Sequence, residues 1–303
     1  MGLPPQNEAL NAKTSNFSAV AEFSTERRLI FRPMINPSPY RRIAVASTFS
    51  PRFMQVISEA KRIRDRLGSE LNLIYVGERT EETAKKFSDV LAQLQLPSDS
   101  IIHYRQGSPA EAILQALVEN DVDLIVAGAL EKEVVLHQFL GNVARRLVRE
   151  ASCSVMLFTR PETEPKPLRK IVFVTDYSEQ ALSALKRTFQ LASAEKTECL
   201  YVIRVITAFD AARAKTDGSD KGKTQDDEEA ELERFVLSAG ATEVPMEARC
   251  IRGNTGFAAA DFVQSVEADL LVVPAQCPSG DQPLPNNIAW ITDVIPCNLW
   301  VVR

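Results

Sequence analysis

The stretch VDLIVAGAL (residues 122–130) returns later in the chain as ADLLVVPAQ (268–276). Each is an almost unbroken apolar run bounded by polar residues, short and rich in Val, Leu and Ile. Such a run reads as a strand buried on both faces. The flanking sequence repeats in the same order: RRIAVAS (41–47) returns as RKIVFVTD (169–176), and ASCSVMLFTR (151–160) as IPCNLWVVR (295–303). Self-similarity of this kind, strand for strand, specifies two copies of one domain and two candidate sites to compare.

Between these strands, apolar residues recur at helical spacing. In the first copy Phe53, Val56, Ile57, Ala60, Ile63 and Leu67 follow the strand IAVAS (43–47). The strand LNLIYV (71–76) is followed by a helix lined by Ala84, Phe87, Val90, Leu91 and Leu94. A third strand, IIHYRQ (101–106), precedes Ile113, Leu114 and Leu117, and DLIVAG precedes a helix with Val143, Leu147, Val148 and Ala151. SVMLF (154–158) is the fifth strand, and the plan repeats from Lys170. Strand–helix alternation with apolar strands predicts an α/β fold of two repeated doubly wound, five-stranded parallel sheets. The flavodoxin-like strand order 3-2-1-4-5 puts a ligand crevice between strands 1 and 4, at their carboxyl ends.

Residues 1–40 are rich in breakers and read as an extended arm, with a short element near 17–31 that docks elsewhere. The two domains span 41–160 and 170–303, joined by a stiff Pro-rich linker at 161–169. A charged insertion at 208–231 reads as a mobile loop leading into a helix. The 303 residues carry 45% hydrophobic and 25% charged side chains, as soluble globular proteins do. A net charge of −5 argues against a general nucleic-acid binder. The basic clusters (Arg62, Arg64 and Arg66; Arg145, Arg146 and Arg149) fall on helix faces that read as mostly solvated. Five cysteines without a CxxC pair predict reduced thiols, a cytoplasmic location and no metal site. No apolar run is long enough to span a bilayer, so no membrane association is expected.

The crevice of the first copy should hold Ser47, Thr48 and Gly128. After Gly128 the chain runs through Leu130 and Glu131 to Gly141 and Asn142, where a helix begins at Val143. Asn142 reads as its N-cap, and Gly141 allows close backbone approach. Free N–H groups and the helix dipole at such a turn suit phosphate oxygens, although ordinary turn chemistry explains Gly and Asn equally well. His103 and His137 have no nucleophile at useful spacing, and the chain has neither a P-loop nor GxGxxG. Trp290 and Trp300 read as packing residues.

Taken together, RRIAVASTFS, RKIVFVTDYSEQALSALKRTFQLA, QGSPAEAILQALVENDVDLIVAGAL and GNVARRLVREASCSVMLF resemble a tandem universal stress protein from Arg41 to Arg303. The resemblance implies an adenine-nucleotide site built on Gly-x2-Gly-x9-Gly-Ser/Thr, with an Asp ending strand 1 and a Val ending strand 2. Copy one keeps Gly128, Gly141 and Val76, but has Glu131 for the middle Gly, Asn142 for Ser/Thr and Thr48 for the Asp. Copy two keeps Asp176, after Thr175, and Val205, while Pro274, Cys277 and Asn286 or Asn287 replace the glycines. There the Asp is expected to cap the following helix, together with Ser178. The resemblance also implies pairing of last strands across a two-fold axis. SVMLF and NLWVV, both apolar edges, can therefore pair within one chain as an internal pseudo-dimer.

The function expected is a regulatory, non-catalytic stress-response role with a degenerate site in copy one for ATP, ADP or AMP (with Mg²⁺ if ATP). The alternatives are a nucleotide-free scaffold with vestigial sites and, from the enzyme class, a weak ATPase. A homodimer is the expected association; the sequence names no protein partner.

Overall fold

A computed structural model describes residues 38–129, 140–208, 224–277 and 295–303. The first copy contributes β1 (Arg42–Ser47), α1 (Phe53–Leu67), β2 (Glu70–Val76), α2 (Glu81–Gln93), β3 (Ile102–Arg105), α3 (Pro109–Glu119), β4 (Leu124–Gly128), α4 (Asn142–Glu150) and β5 (Ser154–Phe158). The second contributes β6 (Lys170–Thr175), α5 (Glu179–Glu195), β7 (Cys199–Ile206), α6 (Gln225–Ser238), β8 (Met246–Arg252), α7 (Thr255–Ser265), β9 (Leu270–Pro274) and β10 (Asn298–Val302).

The ten strands of the described residues form one sheet, in the order β3-β2-β1-β4-β5-β10-β9-β6-β7-β8. Each half has the order 3-2-1-4-5, and every pairing within a half is parallel. The two last strands meet antiparallel, with Trp300 opposite Met156 and Leu299 opposite Leu157. This is the internal pseudo-dimer that two apolar edge strands demand, since each unpaired edge would leave a row of N–H and C=O groups without partners.

Local chemistry explains the elements. The α1 helix ends at Gly68, whose φ of 66° lets its N–H reach back to the Arg64 carbonyl. A reciprocal Thr80–Thr83 capping box starts α2, and Pro109 occupies the first turn of α3. The repeated Asp of the opening stretch has a structural task in both copies. Asp123 Oδ2 accepts from the N–H groups of Arg41 and Arg42, and Asp269 Oδ2 from those of Arg169 and Lys170. Each carboxylate thus anchors the start of the neighbouring first strand.

One core cluster covers each face of the sheet and runs through both halves. Helices α1, α2, α5 and α6 pack on one face around Tyr40, Phe158, Phe173 and Trp300. Helices α3, α4 and α7 pack on the other.

Three expectations change. The third strand of copy one is shorter than 101–106, spanning Ile102–Arg105 at the sheet edge. The charged insertion ends earlier than 231, because Thr224 and Asp227 form a capping box that starts α6 at Gln225; residues 209–223 lie outside the described part. Arg62 is not on a solvated face: its side chain is 9% exposed and lies 2.8 Å from Glu59 and 2.9 Å from Glu195 of α5. The α1 helix packs against α5 of the other copy, so its polar face is an interface. The linker is docked, with Leu168 buried and its N–H donating to Glu195 Oε2. The expected element near 17–31, His137 and Trp290 lie outside the described residues, whereas Trp300 is fully buried in the core.

Candidate functional site

In copy one the β1–β4 ladder ends at Val45 opposite Val126, while β1 continues to Ser47 and β4 to Gly128. The strands diverge over those last two residues and open a cavity of about 160 Å³. Ser47, Thr48, Val76, Gly128, Gly141 and Val143 all line it, joined by Ser50, Arg52, Pro109 and Ile113. The described residues predicted for copy one therefore converge on one crevice, with the exception of Asn142. Leu130 and Glu131 lie outside the described part of the chain.

Most of the wall is apolar, supplied by Val56, Ile113, Ala127 and Leu147 among others, and polar groups gather at the strand ends. Ser47 is buried and its hydroxyl turns back to the Val45 carbonyl at 3.4 Å, whereas Thr48 is exposed. Sequence reasoning missed the feature that gives the crevice its electrostatics. The first turns of three helices meet there, at Arg52–Phe53 of α1, Pro109 of α3 and Gly141–Val143 of α4, and none has a side-chain cap hydrogen bond. The helices α2, α5 and α6 all have one, whereas α7 of copy two, which follows Asn254, does not. The Phe53 N–H of α1 already donates to the Ser50 carbonyl at 3.0 Å; first-turn N–H groups that lack an acceptor favour an anionic or carbonyl-rich ligand.

The cap itself is corrected. Gly141, not Asn142, is the N-cap of α4, with φ −63° and ψ 158°, and its carbonyl accepts the first helical bond from Arg145 N–H at 2.9 Å. Asn142 is the first helical residue and is exposed. Gly128 also has a packing reason to be glycine: a Cβ there would sit 2.9 Å from Val56 Cγ2 of α1.

Copy two repeats the ladder geometry, and residues 278–294, which follow β9, lie outside its described part. The β6–β9 ladder stops at Phe173 opposite Val272, two residues short of Thr175 and Pro274. Here the polar groups bond to each other. Thr175 Oγ1 accepts from Tyr177 N–H at 3.0 Å, and Asp176 Oδ1 accepts from the Ser178 N–H and hydroxyl at 3.0 and 2.6 Å. Ser178 in turn caps α5 by accepting from Ala181 N–H. Asp176 thus supports the cap and does not itself cap the helix. Gln180 Nε2 reaches across the crevice to the Ala275 carbonyl at 3.2 Å. Val205 is the penultimate residue of β7, which runs on to Ile206, and it is buried. Asn286 and Asn287 lie outside the described residues.

Tyr177 has a left-handed φ of 64° and packs against Phe235, with the Arg204 guanidinium over its ring. Burial holds its hydroxyl proton far above the ordinary phenol range. His103 in β3 is pushed toward its neutral form by burial and by Arg105. Burial raises the Cys153 thiol to about 12, so it stays protonated. Among the described residues no three His, Cys, Asp or Glu side chains cluster as a metal site, and no helix is long and apolar enough to cross a membrane.

The model of the universal stress protein family matches this chain twice, over residues 78–159 and 167–303. The chain belongs to the universal stress protein family. The Thermus aquaticus "Universal stress protein in QAH/OAS sulfhydrylase 3'region" is 33% identical to it over 102 residues, 34% of this chain and 74% of that protein. Among solved structures, a protein of unknown function from Pseudomonas aeruginosa PAO1 aligns with a TM-score of 0.67 at 16% identity, over 88% of this chain and 93% of that one. A universal stress protein from Archaeoglobus fulgidus DSM 4304 aligns with a TM-score of 0.61 at 13% identity, over 86% and 98%. These two likenesses show a shared fold.

Proposed function

We propose that this universal stress protein is a regulatory, non-catalytic stress-response protein that takes one adenine nucleotide per chain, in the crevice of copy one. One contrast carries the reading. Three helix starts without side-chain caps surround an open cavity in copy one, whereas in copy two Gln180 spans the crevice and Asp176 is held by Ser178. The apolar wall suits a purine and the helix starts suit phosphate oxygens. The strand-1 acid is absent from copy one, where Thr48 stands, so ribose is held less firmly than the family pattern implies. Glu131 adds negative charge to the segment expected to meet a phosphate tail, which favours AMP over ADP and ATP and gives Mg²⁺ a role only with ATP.

Catalysis is not part of this reading. The described lining offers hydroxyls, an arginine and backbone amides, without a base placed to activate water. The five free cysteines support a reducing, cytoplasmic setting. Association of whole chains as homodimers, and docking of protein partners on the arm or the charged insertion, belong to the same proposal.

Calorimetric titration of the purified protein with AMP, ADP and ATP plus Mg²⁺ tests it, beside Glu131→Gly and Gly141→Asp. The expected result is AMP binding that Gly141→Asp abolishes, and a gain for ATP in Glu131→Gly. A wild type that binds none of the three, with Glu131→Gly gaining affinity, makes the crevice a relic and favours the scaffold. Turnover of ATP above a protein-free control favours the enzyme.

A further inference from the structure

Arg303 follows β10, yet its side chain belongs to the structure of copy one. The guanidinium crosses the junction and donates to the Cys153 carbonyl at 3.3 Å and to the Val148 carbonyl. Val148 lies in the last turn of α4, where carbonyl groups have no intrahelical partner, and Cys153 lies in the turn that leads to β5. The residue is 8% exposed, and its backbone is pinned on both sides. Its N–H donates to Ser154 Oγ at 3.0 Å, and its carbonyl accepts from Arg187 Nη1 at 2.7 Å.

The helix held this way has nine residues, so its two ends lie about 13 Å apart. Its other end, Gly141–Val143, is the part of α4 that lines the copy-one crevice. A cation on the carbonyl end stabilises that last turn, and its two contacts, to Val148 and Cys153, fix the helix along its axis.

We infer that Arg303 is a positioning residue for the copy-one crevice, so that copy two, through this guanidinium, sets how firmly α4 presents its first turn to a phosphate. The link to affinity rests on the nucleotide reading above; the placement of α4 does not. At the opposite end of the junction the matching residue is Thr159, whose N–H and hydroxyl both go to Asn298 Oδ1, at 3.0 and 3.3 Å.

The experiment compares wild type, Arg303→Met, Arg303→Lys and Asn298→Ala by amide hydrogen exchange over residues 141–146 and by calorimetric titration with AMP. Arg303→Met is expected to speed exchange at the start of α4 and to weaken AMP binding, each on the order of tenfold. Arg303→Lys keeps a cation but loses the two-pronged contact, so it should show a smaller change in the same direction; it also serves if the Met variant does not fold. Asn298→Ala cuts the latch at the other end, and should lower thermal stability while leaving exchange at 141–146 and AMP affinity as in wild type. The inference is overturned if Arg303→Met leaves that exchange unchanged, or if Asn298→Ala disturbs it equally, since either makes Arg303 one more junction contact. If wild type takes up no AMP, the nucleotide reading falls, and the exchange result alone decides whether Arg303 places α4.

Discussion

Gly128 shows how one residue can look like chemistry and be packing. In the sequence it resembles the first glycine of a phosphate loop; in the structure its missing Cβ makes room for Val56 Cγ2 at 2.9 Å. Gly128→Ala should cost about 1–3 kcal/mol in urea denaturation, as overpacking does, and Val56→Ala in the same chain should recover most of it. A Gly128→Ala protein as stable as wild type would mean that α1 moves freely there. No spacing rule could have supplied this reason, because it needs the distance between a strand end and a helix 72 residues earlier in sequence.

At the scale of elements, the two copies diverge in how they start the helix after strand 1. In copy two Ser178 caps α5 and is itself held by Asp176, whereas α1 starts at Arg52 without a side-chain cap. Ser178→Ala should cost about 1 kcal/mol of thermal stability, and Asp176→Ala less, since it acts through Ser178. Equal and negligible effects would mean that the cap is idle. The replacement of glycines in copy two was legible as sequence, because Pro274 has no N–H and Cys277 has a side chain. The Gln180 bridge was not, since a glutamine in a helix gives no sign of which carbonyl it will reach. Likewise Asn142 had the right residue type for a cap, but the helix began one residue earlier than its spacing implied.

The whole molecule is one sheet because β5 and β10 pair, and both apolar edges could be read from sequence. What could not be read is how the junction is buttressed. Helix α1 packs against α5, and the Glu195 carboxylate, fully buried, meets Arg62 at 2.9 Å and Arg66 at 3.4 Å and accepts from Leu168 N–H. Periodicity marks the arginines as polar-face residues; only the fold turns that face into an interface. Glu195→Ala leaves the linker amide without its acceptor in a dry site and removes one of the two carboxylates that face Arg62, Glu59 being the other. We expect it to lower stability by roughly 3 kcal/mol in denaturant titration, far more than loss of an exposed pair such as Lys86–Glu82. Equal costs for the two would remove the buried cluster as a clamp between the copies.

The proposed division of labour gives the nucleotide to copy one, where a crevice is open, and none to copy two, where Gln180 and Asp176 are bonded within the fold. It is tested most directly by photolabelling with 8-azido-AMP and mapping the labelled peptides. The account predicts saturable labelling of one site per chain, competed by AMP, on the segments around residues 48–57 and 141–147 and lost in Gly141→Asp. Labelling centred on residues 175–206, or at both crevices alike, would contradict it.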